Sequence, residues 1–120
     1  MASSLPPIRQ FQRPELPSAL FEGHRPPEEL FIQGSDRALG LLEQLPSRGL
    51  AVVGTRTPQP RSLQLVRSEF RKLQGYPLVI LSGLARGIDA EAHRSALAAR
   101  LPTIAVVANG LDMAYPACNL

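Results

Sequence analysis

Three short runs of apolar residues punctuate the second half of the chain: Leu50-Ala51-Val52-Val53, Leu78-Val79-Ile80-Leu81 and Thr103-Ile104-Ala105-Val106-Val107-Ala108. None alternates with polar residues, as expected of parallel strands covered on both faces. Each is followed closely by a glycine, Gly54, Gly83 and Gly110. In the intervals the apolar positions change to helical spacing. Leu63, Val66, Phe70 and Leu73 form one stripe, with Arg67, Arg71 and Lys72 off it, and Ile88, Ala92, Ala96 and Leu97 form the next. Ser62 is a candidate cap for the first of these helices, Gly75 its stop, and Pro77 opens the following strand. Upstream, Glu29-Leu30-Phe31-Ile32-Gln33-Gly34 reads as a strand closed by glycine. Ser35 or Asp36 then caps a helix with an apolar face at Leu39, Leu41, Leu42 and Leu45, which Pro46 ends. Residues 1–28 carry Pro6, Pro7, Pro14, Pro17, Pro26 and Pro27, so an irregular leader is expected there, with Leu16, Leu20 and Phe21 able to dock on a core.

Short buried strands alternating with longer helices are the βαβ pattern of an α/β fold with a parallel sheet flanked by helices. Right-handed crossovers place the ends of the three strands on one edge, the edge where open α/β sheets bind ligands. The expected organisation is a leader or arm, 1–28, followed by a domain, 29–120. Three core strands are about half of a doubly wound sheet, and the sequence stops directly after a loop, so the domain is expected to be truncated after its third core strand.

Composition adjusts this picture only slightly. A net charge of +3 permits a polyanionic partner without requiring one. Of the thirteen basic residues only Lys72 is lysine. Arginine suits bidentate phosphate contacts and stacking on bases, although a GC-rich genome yields the same bias. No apolar run approaches the ~18 residues of a membrane span. The first residues have neither the charged nor the apolar region of a signal peptide. Cys118 is the only cysteine and shows no metal-ligand spacing; a reducing, cytoplasmic setting is the expectation.

The chemistry concentrates where strands end. Ser82-Gly83, followed through Arg86 and Gly87 by a helix, suits an anion: the glycines let backbone N–H groups approach a ligand, and the helix start adds its dipole. Gly54-Thr55-Arg56 repeats the arrangement, with a hydroxyl and a guanidinium for a phosphate. The competing reading of both is a tight strand–helix turn without ligand. Asp89 and His93 share one helix face. With no nucleophile beside them they read as support, Asp89 bonding loop N–H groups and His93 packing or pairing with it. Asp112 and Tyr115 follow the third strand, where Tyr115 either stacks on a base or packs beneath its loop.

These residues also carry a resemblance. Val52-Val53-Gly54-Thr55-Arg56, Ser82-Gly83-Leu84-Ala85-Arg86-Gly87-Ile88-Asp89 with Ala92-His93, Thr103-Ile104-Ala105-Val106, and Gly110-Leu111-Asp112 with Tyr115-Pro116 and Asn119 stand in the order and spacing of the DNA-processing protein A family (DprA, also called Smf). The segment 26–34 resembles the one that precedes the core in that family. The chain departs from the pattern at Arg100-Leu101, where the family usually has a glycine pair, at Ala108, where glycine is common, and at Pro60-Arg61, where Tyr-Gly is frequent. The resemblance implies a Rossmann-like domain that binds single-stranded DNA and has no known catalytic activity. It also implies protection of single strands in natural transformation, loading of the recombinase RecA, and a homodimer. It implies DNA or phosphate contacts at Gly54, Thr55, Arg56, Ser82, Gly83, Arg86 and Gly87, no cofactor and no membrane. The alternative is a nucleotide-binding enzyme of a related Rossmann-like family, the phosphoribohydrolases, but their Pro-Gly-Gly-x-Gly-Thr-x-x-Glu loop is absent. The G-x-G-x-x-G of a dinucleotide oxidoreductase is also absent after the first core strand.

Overall fold

The computed structural model describes residues 5–108, 110 and 111. The chain divides between Pro46 and Ser47 into two compact units.

In the first unit, β1 (Ile8–Gln12) pairs antiparallel with β2 (Glu29–Gln33), Ile8 opposite Gln33 and Gln12 opposite Glu29. A strand in the leader corrects the expectation of irregular structure there. The physical reason is the placement of the prolines: Pro6 and Pro7 precede β1 and the other four follow it, so no ladder donor within 8–12 is missing. The long connection holds two 3₁₀ turns, Arg13–Glu15 and Ser18–Phe21. Arg13 ties it together, donating to the carbonyls of Pro26 (3.3 Å) and Pro27 (3.1 Å) and to Glu28 Oε1 (3.1 Å), with its guanidinium 5.2 Å from the centre of the Phe21 ring. After β2, Ser35 caps α1 (Asp36–Gly40) by accepting the Ala38 N–H at 3.1 Å. The expected single helix to Pro46 is instead α1, a 3₁₀ turn (Leu41–Gln44) and a one-turn α2 (Leu45–Arg48). Pro46 sits inside α2 rather than ending the helix. Its place is the first turn, where an N–H has no intrahelical partner to lose.

The second unit is built on a parallel sheet in the order β3 (Gly49–Ala51), β4 (Val79–Ser82), β5 (Thr103–Ala105). Gly49 pairs with Val79, and Ile80 with Thr103. Pairing outlasts the regular strands, because Val52 N–H donates to Leu81 O and Val106 N–H to Ser82 O, both at 2.9 Å. The crossovers are α3 (Pro60–Leu73) and α4 (Ile88–Ala98). Both step the same way across the sheet, so right-handed connections put both helices on one face. The core confirms this: Phe70 of α3, Ala92, Ala96 and Ala99 at the end of α4, and Ile80 of β4 form one buried cluster with Leu101, and Val52, Val66, Leu73 and Leu78 pack around it. Alanines along α4 let the helix lie close to the sheet. This is the α/β parallel sheet expected from the apolar runs.

Two helix ends differ from the expectation or sharpen it. The cap of α3 is Gln59, with Pro60 as first helical residue, and not Ser62, whose N–H already donates to Gln59 O at 2.9 Å. At the end of α4, Arg100 N–H reaches Leu97 O (3.1 Å) and Leu101 N–H reaches Ala96 O (2.8 Å). These are the paired bonds of a Schellman cap, closed by the Leu101–Ala96 apolar contact, and they require a left-handed residue between. That residue is Arg100, at φ +59°, on one of the two positions where the resembled family usually carries glycine.

Candidate functional site

The exits of β3 and β4 converge on the start of α4. Gly87 precedes that helix at φ +86°, a conformation that favours glycine. A Cβ there would stand 2.3 Å from Thr55 O and 2.9 Å from Arg56 C, so the 54–58 loop lies directly on it. Ile88 N–H donates to Thr55 O at 3.1 Å, giving one orphan donor of the helix start a backbone partner. Gly54 is packed as tightly, since a Cβ on it would fall 2.6 Å from that of Ile88. The two predicted anion loops therefore form one continuous edge.

Within this edge the predicted residues divide. Gly54 N–H donates to Asp89 Oδ1 at 3.2 Å and so is already engaged. The Ser82 side chain is buried and its hydroxyl donates to Val52 O, across the β3–β4 pair. The Thr55 hydroxyl oxygen accepts from Thr57 N–H at 3.2 Å and lies 3.5 Å from the Thr57 hydroxyl, with either hydroxyl able to donate to the other. Arg56 and Arg86 are exposed. Neither guanidinium has a hydrogen bond or ion pair among the described residues. This contrasts with Arg67 and Arg94, which both pair with the buried Glu91. Gly83 and Gly87 are half-buried at the same edge.

His93 does not pair with Asp89. Its Nε2 is 2.6 Å from Gly83 O and its Nδ1 is 2.6 Å from Thr103 Oγ1. A carbonyl can only accept, so Nε2 carries the hydrogen. His93 thus links the β4 exit to β5 through α4, and both ring nitrogens are engaged. The partner role of Thr103 was not foreseen, because a polar residue opening an apolar run reads as a strand boundary. The Arg67–Glu91–Arg94 cluster was missed for a similar reason: Glu91 falls between Ala90 and Ala92 and looks solvent-facing until α3 is laid beside it. Asp112 and Tyr115 lie outside the described residues.

Beside the loops is a cavity of about 410 Å³ lined by Gly83, Leu84, Asp89, Val106, Val107 and Ala108. Its walls are apolar except for backbone and the Asp89 carboxylate. No group of three or more potential metal ligands occurs among the described residues, and no described helix is long and apolar enough to cross a membrane.

The comparisons with known proteins agree on one family. The model of the DNA recombination-mediator protein A family matches residues 8–120. Protein Smf of Synechocystis is 39% identical over 106 residues, which is 88% of this chain and 26% of that protein. DNA processing protein DprA of Streptococcus pneumoniae is 39% identical over 103 residues, 86% of this chain and 34% of the relative. Its Bacillus subtilis counterpart is 34% identical over 114 residues, 95% and 36% respectively. Among solved structures, Streptococcus pneumoniae DNA processing protein A superimposes with a TM-score of 0.79 at 36% identity, covering 93% of this chain and 38% of that one. The Helicobacter pylori DNA processing protein A, described for its single-stranded DNA binding mode, gives 0.74 at 29% identity, covering 93% and 47%. The chain thus spans roughly a quarter to a third of the curated relatives it matches.

Proposed function

From the chain's membership of the DNA recombination-mediator protein A family, we propose that it is a single-stranded DNA-binding module whose phosphate contacts lie along the exits of β3 and β4. The observation that carries this reading is the pair of exposed guanidiniums, Arg56 and Arg86, on two loops that Gly87 locks together, with no hydrogen-bond or ion-pair partner for either among the described residues. Thr55 adds a hydroxyl donor, and Gly83 and Gly87 leave room for a backbone to approach. Gly54 and Ser82 act from beneath: Gly54 through its bond to Asp89, and Ser82 through its bond to Val52. Contacts of this kind go to phosphate and give little sequence preference.

The reading is one of binding rather than catalysis. His93 is committed at both nitrogens, and Asp89 holds a loop amide. For the whole protein, of which this chain matches a part, we propose the roles the family suggests: a cytoplasmic protein that protects single strands in natural transformation, works with RecA and acts as a homodimer.

Fluorescence anisotropy of a labelled single-stranded oligonucleotide, titrated at several salt concentrations, tests the site. Log K should fall with log salt by about 0.7 per phosphate contact. Arg56→Ala should weaken binding and flatten that slope by about one contact. Absence of binding by a chain shown to be folded, or an unchanged slope in Arg56→Ala, overturns the assignment.

A further inference from the structure

The cavity beside the strand exits has an unusual chemistry for a neighbour of phosphate-binding loops. Its one charged group is Asp89, which is 9% exposed. Oδ1 of that carboxylate accepts the Gly54 N–H. Oδ2 faces the space above Gly83, where a Cβ would stand only 2.8 Å away. The missing side chain at residue 83 is what keeps this edge of the carboxylate open. The remaining walls are Leu84, Ala85, Val106, Val107 and Ala108 with their backbone. An ionised carboxylate is an acceptor with about four lone-pair sites, of which Gly54 uses one. In a recess with such apolar walls, each further donor that meets the carboxylate stabilises it.

The group that satisfies such a recess is flat, largely apolar and carries N–H donors along one edge. An anion is excluded by the carboxylate, so phosphate belongs on the Arg86 side of the loop and not in the cavity. Gly83, Leu84 and Ala85 line the cavity, and Arg86 follows them directly. A nucleotide whose phosphate meets Arg86 therefore has its base within reach of the recess.

We propose that the cavity is a nucleobase subsite in which the Asp89 carboxylate accepts N–H donors from the base edge, favouring guanine. The inference rests on the single-stranded DNA reading above and adds a specificity to it. Guanine presents N1–H and the N2 amino group side by side and matches a carboxylate as a bidentate donor. Hypoxanthine retains only N1–H. Thymine offers a single N3–H flanked by two carbonyl oxygens that face the carboxylate unfavourably. Asp89 is the specificity-determining residue, and Gly83 provides the opening.

The test compares three unlabelled single strands of equal length as competitors in the anisotropy assay: alternating thymidine–guanosine, alternating thymidine–inosine, and oligothymidine. With the unmodified chain, the guanosine strand should bind about tenfold more tightly than oligothymidine, with inosine between them. In Asp89→Asn the side-chain oxygen can still accept from Gly54 while an amide donor faces the cavity. The ratio of guanosine-strand to oligothymidine affinity should then collapse, whatever the change in overall affinity. Equal affinity for all three strands overturns the subsite and leaves the phosphate reading standing, whereas no binding of any strand by the folded chain overturns both. The inosine comparison uses unmodified protein, so it decides the matter even if Asp89→Asn fails to fold.

Discussion

Single residues here are held by conformation as much as by contact. Arg100 occupies the left-handed position of the α4 cap with φ +59°, a conformation that costs an ordinary L-residue about 1 kcal/mol. Arg100→Gly should relieve that strain and, after the added freedom of the unfolded chain, raise stability by up to about 0.5 kcal/mol. A small rise in the denaturant midpoint at unchanged slope is the expected result. The Ser95 hydroxyl is buried and has no hydrogen-bond partner among the described residues. Ser95→Ala removes an unsatisfied group and adds a better helix former, so it should stabilise by about 1 kcal/mol, read as an increase in Tm. Gly87 is the opposite case: any side chain there meets Thr55 O at 2.3 Å. Gly87→Ala should lower Tm and weaken DNA binding together.

Among the elements, α4 does most to organise the site. Its first turn supplies Asp89 to the β3 loop, its second supplies His93 to β4 and β5, and its outer side carries Glu91 toward α3. Glu91 is nearly buried and is held by Arg67 and, at 3.5 Å, by Arg94. Arg67→Ala leaves that carboxylate poorly compensated and should cost about 1–3 kcal/mol, measured by chemical denaturation. The strands and long helices could be read in advance because their apolar period is plain: Ile80 and Phe70 are core residues in the pattern and in the fold. The site was legible as a place, the glycine-marked strand exits, but only partly as a set of contacts. Gly54, Ser82 and His93 each bond to another element of the chain, and nothing in a one-dimensional pattern shows whether an amide or hydroxyl at a loop finds such a partner. β1 was hidden by the prolines on either side of it, whose density suggests irregular chain although none falls within the strand.

At the scale of the whole molecule, the two units differ in how they are held. No residue of 5–46 is fully buried, whereas Val79 and Ile80 in β4 are 2% and 0% exposed. A two-stranded ribbon is marginal on its own, and local opening follows the lack of buried contacts. Native-state hydrogen exchange should therefore show the slowest amides in β4 and α4, with β1 and β2 exchanging at a much lower opening free energy. Uniform protection across both units would contradict this division.

The bond between Gly54 and Asp89 has a further consequence. The amides at a loop–helix junction of this kind are a ready-made seat for a sulfate or phosphate from solution. Here a carboxylate of the chain itself is seated at the junction. The first loop is held by the chain's own carboxylate, so the DNA-binding surface proposed above would need no incoming anion to shape it.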